Sequence, residues 1–195
     1  MTEQIVLASA SPRRRELLTQ IGLKFQVVPS RAEELVLPGE TPEEHVIRLS
    51  IDKASDVAAQ KEVEGRWFIG SDTIVLCNGQ ILGKPADERH AAQMLRMLSG
   101  QEHRVLSGYA ILDRQTGEQR AEAVSTKVRF RELTDAEIAR YIASGEPADK
   151  AGAYAIQGLG VCFVAEIEGS YTNVVGLPLC RLTLALKQLG VPLPI

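Results

Sequence analysis

No apolar run in this chain approaches the roughly 18 residues that a membrane span needs. Its opening, MTEQIVLASA, has neither the basic start nor the length of a secretory leader. A cytoplasmic protein is therefore expected. The three cysteines, Cys77, Cys162 and Cys180, are odd in number and show no CxxC spacing, and His45, His90 and His103 form no HxxxH or HxH pair. Those gaps argue against a disulfide framework and against zinc. The cysteines stand in apolar strings such as GVCFV and GLPLC, which predicts buried structural thiols rather than nucleophiles. Positive charge is also in short supply: the net charge is −3, so the global field will not gather DNA or RNA, and any anion must be met by a local patch. Low-complexity tracts, internal repeats and linker-like shifts in composition are missing as well, which predicts one domain over residues 1–195. GQILGKP falls short of a phosphate loop, with three residues between its glycines and proline where Ser or Thr would hold magnesium. GLG at 158–160 lacks the third glycine of a dinucleotide fingerprint.

What the chain does have is a regular alternation of strand and helix signals. Strands are expected at 5–8, 25–28, 67–76, 104–112 and 123–130, and helices at 13–21, 41–61, 87–98, 134–144 and 178–189. TPEE from Thr41 and TDAE from Thr134 each combine a hydroxyl N-cap with Glu three residues on, so both read as capping boxes. Asn78-Gly79 is a two-residue hairpin signal and 113–117 a longer one, which makes the expected sheet mixed rather than purely parallel. The segment GEPADKAGAYAIQGLG, 145–160, is rich in small residues, as a backbone approached closely by another group would be.

Three features carry chemistry. LASASPRRRELL, 7–18, crowds arginines at a helix start marked by Ser11 and Pro12, where the macrodipole already favours anions. Unpaired N–H groups, the hydroxyls of Ser9 and Ser11, and the forks of Arg13 and Arg14 make this a candidate phosphate grip. FIGSDTIVL sets Asp72 in an apolar strand, where a carboxylate needs a cation, a metal ion or N–H donors to offset desolvation. Glu33 and Glu34, in the polar loop before the Thr41 helix, offer a second carboxylate, and Lys53 and Lys84 are candidate cations.

SASPRR, SDTIV, GKP, LSGQEHRV and EPADKAGAYAIQGLG, in this order over nearly the whole chain, resemble the Maf family of nucleoside triphosphate pyrophosphatases. The resemblance implies an α/β fold of the inosine triphosphatase-like kind: a long mixed sheet flanked by helices, with a cleft between two lobes. It also implies hydrolysis between the α and β phosphates with Mg²⁺ or Mn²⁺. Ser9, Ser11, Arg13 and Arg14 would then hold the triphosphate, and Lys53, within the catalytic set, and Lys84 would add charge around the leaving pyrophosphate. Asp72 would be the catalytic carboxylate, acting as general base or as metal ligand, and Glu34 the second carboxylate and metal ligand. The branch that acts on dTTP and UTP carries Arg, Thr and Gln where the 7-methyl-GTP branch carries Trp, Gln and Glu, and this chain has Arg13, Thr73 and Gln157. The Gln157 amide can pair with the O4 and N3–H edge of a pyrimidine, so the expected substrates are dTTP and UTP. The alternatives are 7-methyl-GTP hydrolysis and a non-hydrolytic nucleotide-binding regulator of cell division. Small nucleotides are the expected partners, to the exclusion of nucleic acid and membrane, with room left for a homodimer.

Overall fold

The computed structural model describes residues 4–194. Strand β1 (Ile5–Leu7) leads into helix α1 (Pro12–Gln20), followed by β2 (Phe25–Val27), α2 (Pro42–Ala58), β3 (Trp67–Cys77), β4 (Gln80–Leu82) and α3 (Glu88–Leu98). Then come β5 (Glu102–Asp113), β6 (Gln119–Phe130), α4 (Asp135–Ala143), three short 3-10 turns between Glu146 and Phe163, β7 (Val164–Glu168), α5 (Tyr171–Val175) and α6 (Leu179–Gln188). The strands form one mixed seven-stranded sheet, ordered β2-β1-β3-β5-β6-β7 with β4 paired to β3, and helices flank it. β1 runs parallel to β2 and β3, while the β3–β4 and β6–β7 pairs are antiparallel.

Both capping boxes are present, with Thr41 and Thr134 accepting from the N–H three residues on and the glutamates reaching back. The Asn78-Gly79 turn takes left-handed conformations at both residues, as a two-residue hairpin requires. Ser11 does stand at the N-cap of α1, but its side chain makes no cap bond; the Ser9 hydroxyl instead accepts from the Ser11 N–H at 3.3 Å. The expectation of buried cysteines holds for Cys77 alone, since Cys162 and Cys180 are exposed. An apolar string in a short helix still has an outer face: α6 buries Leu179, Leu182, Ala185 and Leu186 and leaves Cys180 outside. Cys162 meets the same fate in the 3-10 turn Leu159–Phe163, where Gly160 and Phe163 turn inward.

The chain divides into two compact units interleaved in sequence, one comprising residues 1–72, 107–124 and 176–195, the other 73–106 and 125–175. In the first, Val6, Ala8, Ala54, Val57, Val63, Phe68 and Ala110 pack into one core, so α2 lies on the sheet. Two glycines allow that helix to lie unusually close. A Cβ added to Gly70 of β3 would sit 2.0 Å from the Ser50 carbonyl oxygen, and one on Gly108 of β5 would sit 2.2 Å from that of Val46. The core of the second unit gathers Met94, Leu95, Leu98, Phe130, Ile138, Tyr141, Tyr154 and Phe163, among others, with Phe130 edge-on to His103, Tyr154 and Phe163. No helix among the described residues is long and apolar enough to cross a membrane.

Candidate functional site

The carboxylate in the apolar strand has its cation. Asp72 is buried and its Oδ1 accepts from Lys53 Nζ at 2.7 Å, while Glu34 Oε1 stands 2.6 Å from the same ammonium. One buried lysine on α2 thus joins the β3 carboxylate to the loop carboxylate. Glu34 is half exposed. Of the two adjacent glutamates it is the one paired with Lys53.

The distance between α2 and β3 is set by the glycine seat, and a polar contact secures it. The Asp72 N–H donates to Ser50 Oγ at 3.1 Å, and that hydroxyl donates to the Val46 carbonyl at 2.5 Å. The loop that bears Glu34 is tied to the same helix at both ends. Asp56 accepts from the Ser30 hydroxyl and the Arg31 N–H, each at 2.7 Å. Arg48 donates to both oxygens of Glu40, at 2.6 and 2.9 Å, and to the Leu35 carbonyl at 2.8 Å, while His45 Nδ1 lies 3.0 Å from Glu40. Arg48, with His45 helping, holds the Glu40 carboxyl well below its ordinary value, at about 2. Glu34 therefore hangs on a segment held immediately beside it.

The three arginines at the start of α1 are divided by the helical period. Arg15 faces solvent, Arg13 is half-buried, and Arg14 turns inward. Arg14 Nη1 donates to Ser9 Oγ at 3.0 Å and to the Ser71 carbonyl at 2.8 Å, and its Nε donates to the Gly176 carbonyl at 2.8 Å. Burial draws its guanidinium below the ordinary value, against the opposing pull of the Asp72 charge. Ser71 adds a bond from its hydroxyl to the Gly108 carbonyl at 2.8 Å. Arg14 thus anchors the strand one residue ahead of Asp72 and holds the Ser9 hydroxyl in place.

Ser9, Arg14, Glu34, Lys53 and Asp72 all belong to the first unit and are joined by these contacts, with Ser11 and Arg13 at the adjoining helix start. Thr73, Lys84 and Gln157 belong to the second. There Thr73 directly follows Asp72 on β3, Lys84 is exposed beyond β4, and Gln157 is half-buried between two 3-10 turns. Sequence reasoning passed over Ser50, Ser71, Arg48 and Glu40. Gly70 gave a signal that could have found the first of these, since a lone glycine inside a strand marks close backbone approach.

The donor set also bears on metal binding. Among the described residues no three His, Cys, Asp or Glu side chains converge as a cage. Two carboxylates near one another do fit magnesium, which is usually held by one or two carboxylates together with substrate phosphates and waters.

A family model described as Maf-like protein matches residues 4–189. A dTTP/UTP pyrophosphatase of Syntrophotalea carbinolica is 63% identical over 186 residues, covering 95% of this chain and 84% of its own length. Proteins of the same description from Geobacter metallireducens and Geobacter sulfurreducens are each 54% identical over 187 residues, covering 96% of this chain and 96% and 97% of their own. The chain belongs to the Maf family.

Proposed function

We propose that this protein hydrolyses dTTP and UTP to the monophosphate and pyrophosphate in the cytoplasm. The observation that carries the reading is the buried Lys53–Asp72 pair joined to the half-exposed Glu34, beside an arginine-rich helix start, in a chain 63% identical to a dTTP/UTP pyrophosphatase. A protein that only bound nucleotide would need the cations and not the carboxylates.

In this reading the first-turn N–H groups of α1, the Ser11 hydroxyl and Arg13 meet phosphate oxygens. Ser9 is held for the same task by Arg14. Lys53 holds Asp72 and Glu34 at a short separation, and it supplies positive charge toward a leaving pyrophosphate. Because Lys53 occupies Oδ1 of Asp72, the other oxygen is the one that takes a proton from the attacking water or holds a cation. Asp72 and Glu34 are the residues that would hold Mg²⁺ or Mn²⁺, which neutralises phosphate charge when bound. Lys84 adds charge for the phosphates, and Thr73 and Gln157 are assigned to the base, Gln157 through an amide that donates and accepts.

The test is product identity with dTTP and UTP in the presence of Mg²⁺, for wild type and Asp72→Asn. Monophosphate plus pyrophosphate is expected. The variant should lose nearly all turnover and keep its fold, because Lys53 retains Glu34 as a partner. Diphosphate plus orthophosphate would refute the cleavage position, and binding without products from any triphosphate would favour the regulator. Wild-type rates in Asp72→Asn would move the catalytic role to the Glu34 loop.

A further inference from the structure

Gln157 sits on a turn whose backbone is held from both sides by one small network. Tyr141, at the end of α4, donates its hydroxyl to Glu146 Oε1 at 2.8 Å and accepts from the Ala155 N–H at 3.1 Å. Glu146 also accepts from the Leu159 N–H at 2.9 Å through Oε2 and from the Gly160 N–H at 3.0 Å through Oε1. The network therefore grips the chain two residues before Gln157 and two and three residues after it.

The glycines of this stretch make the grip possible. Gly158 has φ +84°, and a Cβ there would fall 2.4 Å from Glu146 Oε2; a Cβ on Gly160 would fall 2.4 Å from the Ala155 carbonyl oxygen and 2.7 Å from the Tyr141 hydroxyl. Tyr154, Ala155 and Ile156 are buried on the near side, whereas Gln157 is half-buried and its amide makes no hydrogen bond to the described residues. Burial pushes the Glu146 carboxyl up, but the N–H groups of Leu159 and Gly160 and the Tyr141 hydroxyl outweigh it and hold the carboxyl below its ordinary value. Glu146 is thus an ionised acceptor at neutral pH, matched to three donors.

We infer that Tyr141 and Glu146 are positioning residues for base recognition: they fix the turn that presents the Gln157 amide, and so set how well its donor and acceptor meet a pyrimidine edge. This rests on the reading that Gln157 meets the base. The network touches no phosphate-binding residue named above, so its loss should weaken recognition of the base and spare the chemistry. Glu146→Gln would aim an NH₂ donor at a backbone N–H, and Tyr141→Phe would strip the partner from Ala155 N–H while keeping the ring that packs edge-on against Phe163.

The experiment is calorimetric binding of dTMP, which needs no turnover, to wild type, Tyr141→Phe, Glu146→Gln, Gln157→Ala and the double variant Tyr141→Phe/Gln157→Ala, with dTTP kinetics alongside. Each single variant should weaken dTMP binding roughly tenfold, as expected when buried polar groups meet the base imperfectly. For Tyr141→Phe the KM for dTTP should rise and kcat hold within about twofold of wild type. The double variant should bind no more weakly than Gln157→Ala, because the network acts through Gln157. Losses that add in the double variant, or wild-type affinity in a well-folded Tyr141→Phe, would overturn the inference. Should Glu146→Gln fail to fold, the Tyr141→Phe cycle decides alone. Wild type that binds dTMP with the expected coupling but cleaves no triphosphate would refute the hydrolytic reading and support the inference. Wild type that binds no dTMP would overturn it.

Discussion

Substituting Gly70 by alanine tests the claim that the α2 helix is seated on glycine. The added methyl would lie 2.0 Å from the Ser50 carbonyl oxygen and 2.7 Å from the Ala54 nitrogen, both backbone atoms that cannot rotate away. Relief to an ordinary contact of 3.4 Å requires the helix to lift by about 1.4 Å. Lys53 has a flexible stem and can follow Asp72 part of the way. The Asp72 N–H to Ser50 Oγ bond, now 3.1 Å, has no such slack and would break. Overpacking of this kind costs about 2 kcal/mol, which for a chain of this size lowers Tm by roughly 4–8 °C. If Lys53 acts in catalysis as proposed, its displacement by ~1 Å costs up to about a hundredfold in rate. Calorimetry and pyrophosphate release, assayed well below Tm, measure the two effects separately. Gly83→Ala is the control, since a Cβ there meets nothing within 4 Å. A Gly70→Ala protein with wild-type Tm would refute the seat. One that melts lower but turns over normally would show that helix position does not govern the Lys53–Asp72 pair.

Arg48→Met should lower kcat in assays held well below its Tm, because it releases Leu35 beside Glu34; equal rates in both proteins would mean that the loop holds Glu34 unaided. The Glu40 carboxyl, depressed to about 2 chiefly by Arg48, contributes stability that is present above its ordinary 4.5 and lost as pH falls from there toward 2. Glu40→Gln should flatten Tm against pH across that window, and an unchanged slope would refute the clamp. His103, held neutral by burial with its value pulled from 6.5 down to about 4, makes the fold lose stability as pH falls from 6.5 to 4 while the unfolded chain takes up a proton. His103→Gln should shrink that part of the acid transition, read by thermal melts from pH 7 to 4. Chelation of divalent metal should abolish dTTP turnover while dTMP binding persists, and full activity in excess chelator would exclude Asp72 and Glu34 as metal ligands.

The main elements were legible because their signals are local. Hydroxyl caps with Glu three residues on fixed the starts of α2 and α4, and Asn78-Gly79 fixed the β3–β4 turn. What escaped depends on partners distant in sequence. β7, with the pattern VAEIE, is paired through Lys127–Glu168 and Arg129–Glu166 along β6, contacts that no single window contains. α5 is only five residues long and too short to show a period. At the site, Asp72 stood out because a carboxylate inside an apolar strand demands a partner. Ser71, one residue away and fully buried, did not, because a serine hydroxyl finds backbone acceptors wherever the chain is dense. The phosphate grip was read with the forks of Arg13 and Arg14 alike open to a ligand, whereas the 3.6-residue period turns Arg14 inward onto Ser9, Ser71 and Gly176.

That division of labour alters the charge available to a ligand. Arg14 spends its hydrogen bonds on Ser9, Ser71 and Gly176, and Lys53 is shared by Asp72 and Glu34. Within the first unit the three cations Arg13, Arg14 and Lys53 face two carboxylates, so the cluster carries a net charge of only one positive unit. A triphosphate brings several negative charges, and the two carboxylates would repel it wherever Lys53 does not screen them. If Asp72 and Glu34 hold a divalent ion as proposed, that ion offsets the repulsion both carboxylates exert on the phosphates during turnover. The arginine run also serves the fold: its inward member bonds to β3 one residue ahead of Asp72, which leaves Arg13 and the first-turn N–H groups of the helix for the proposed anion.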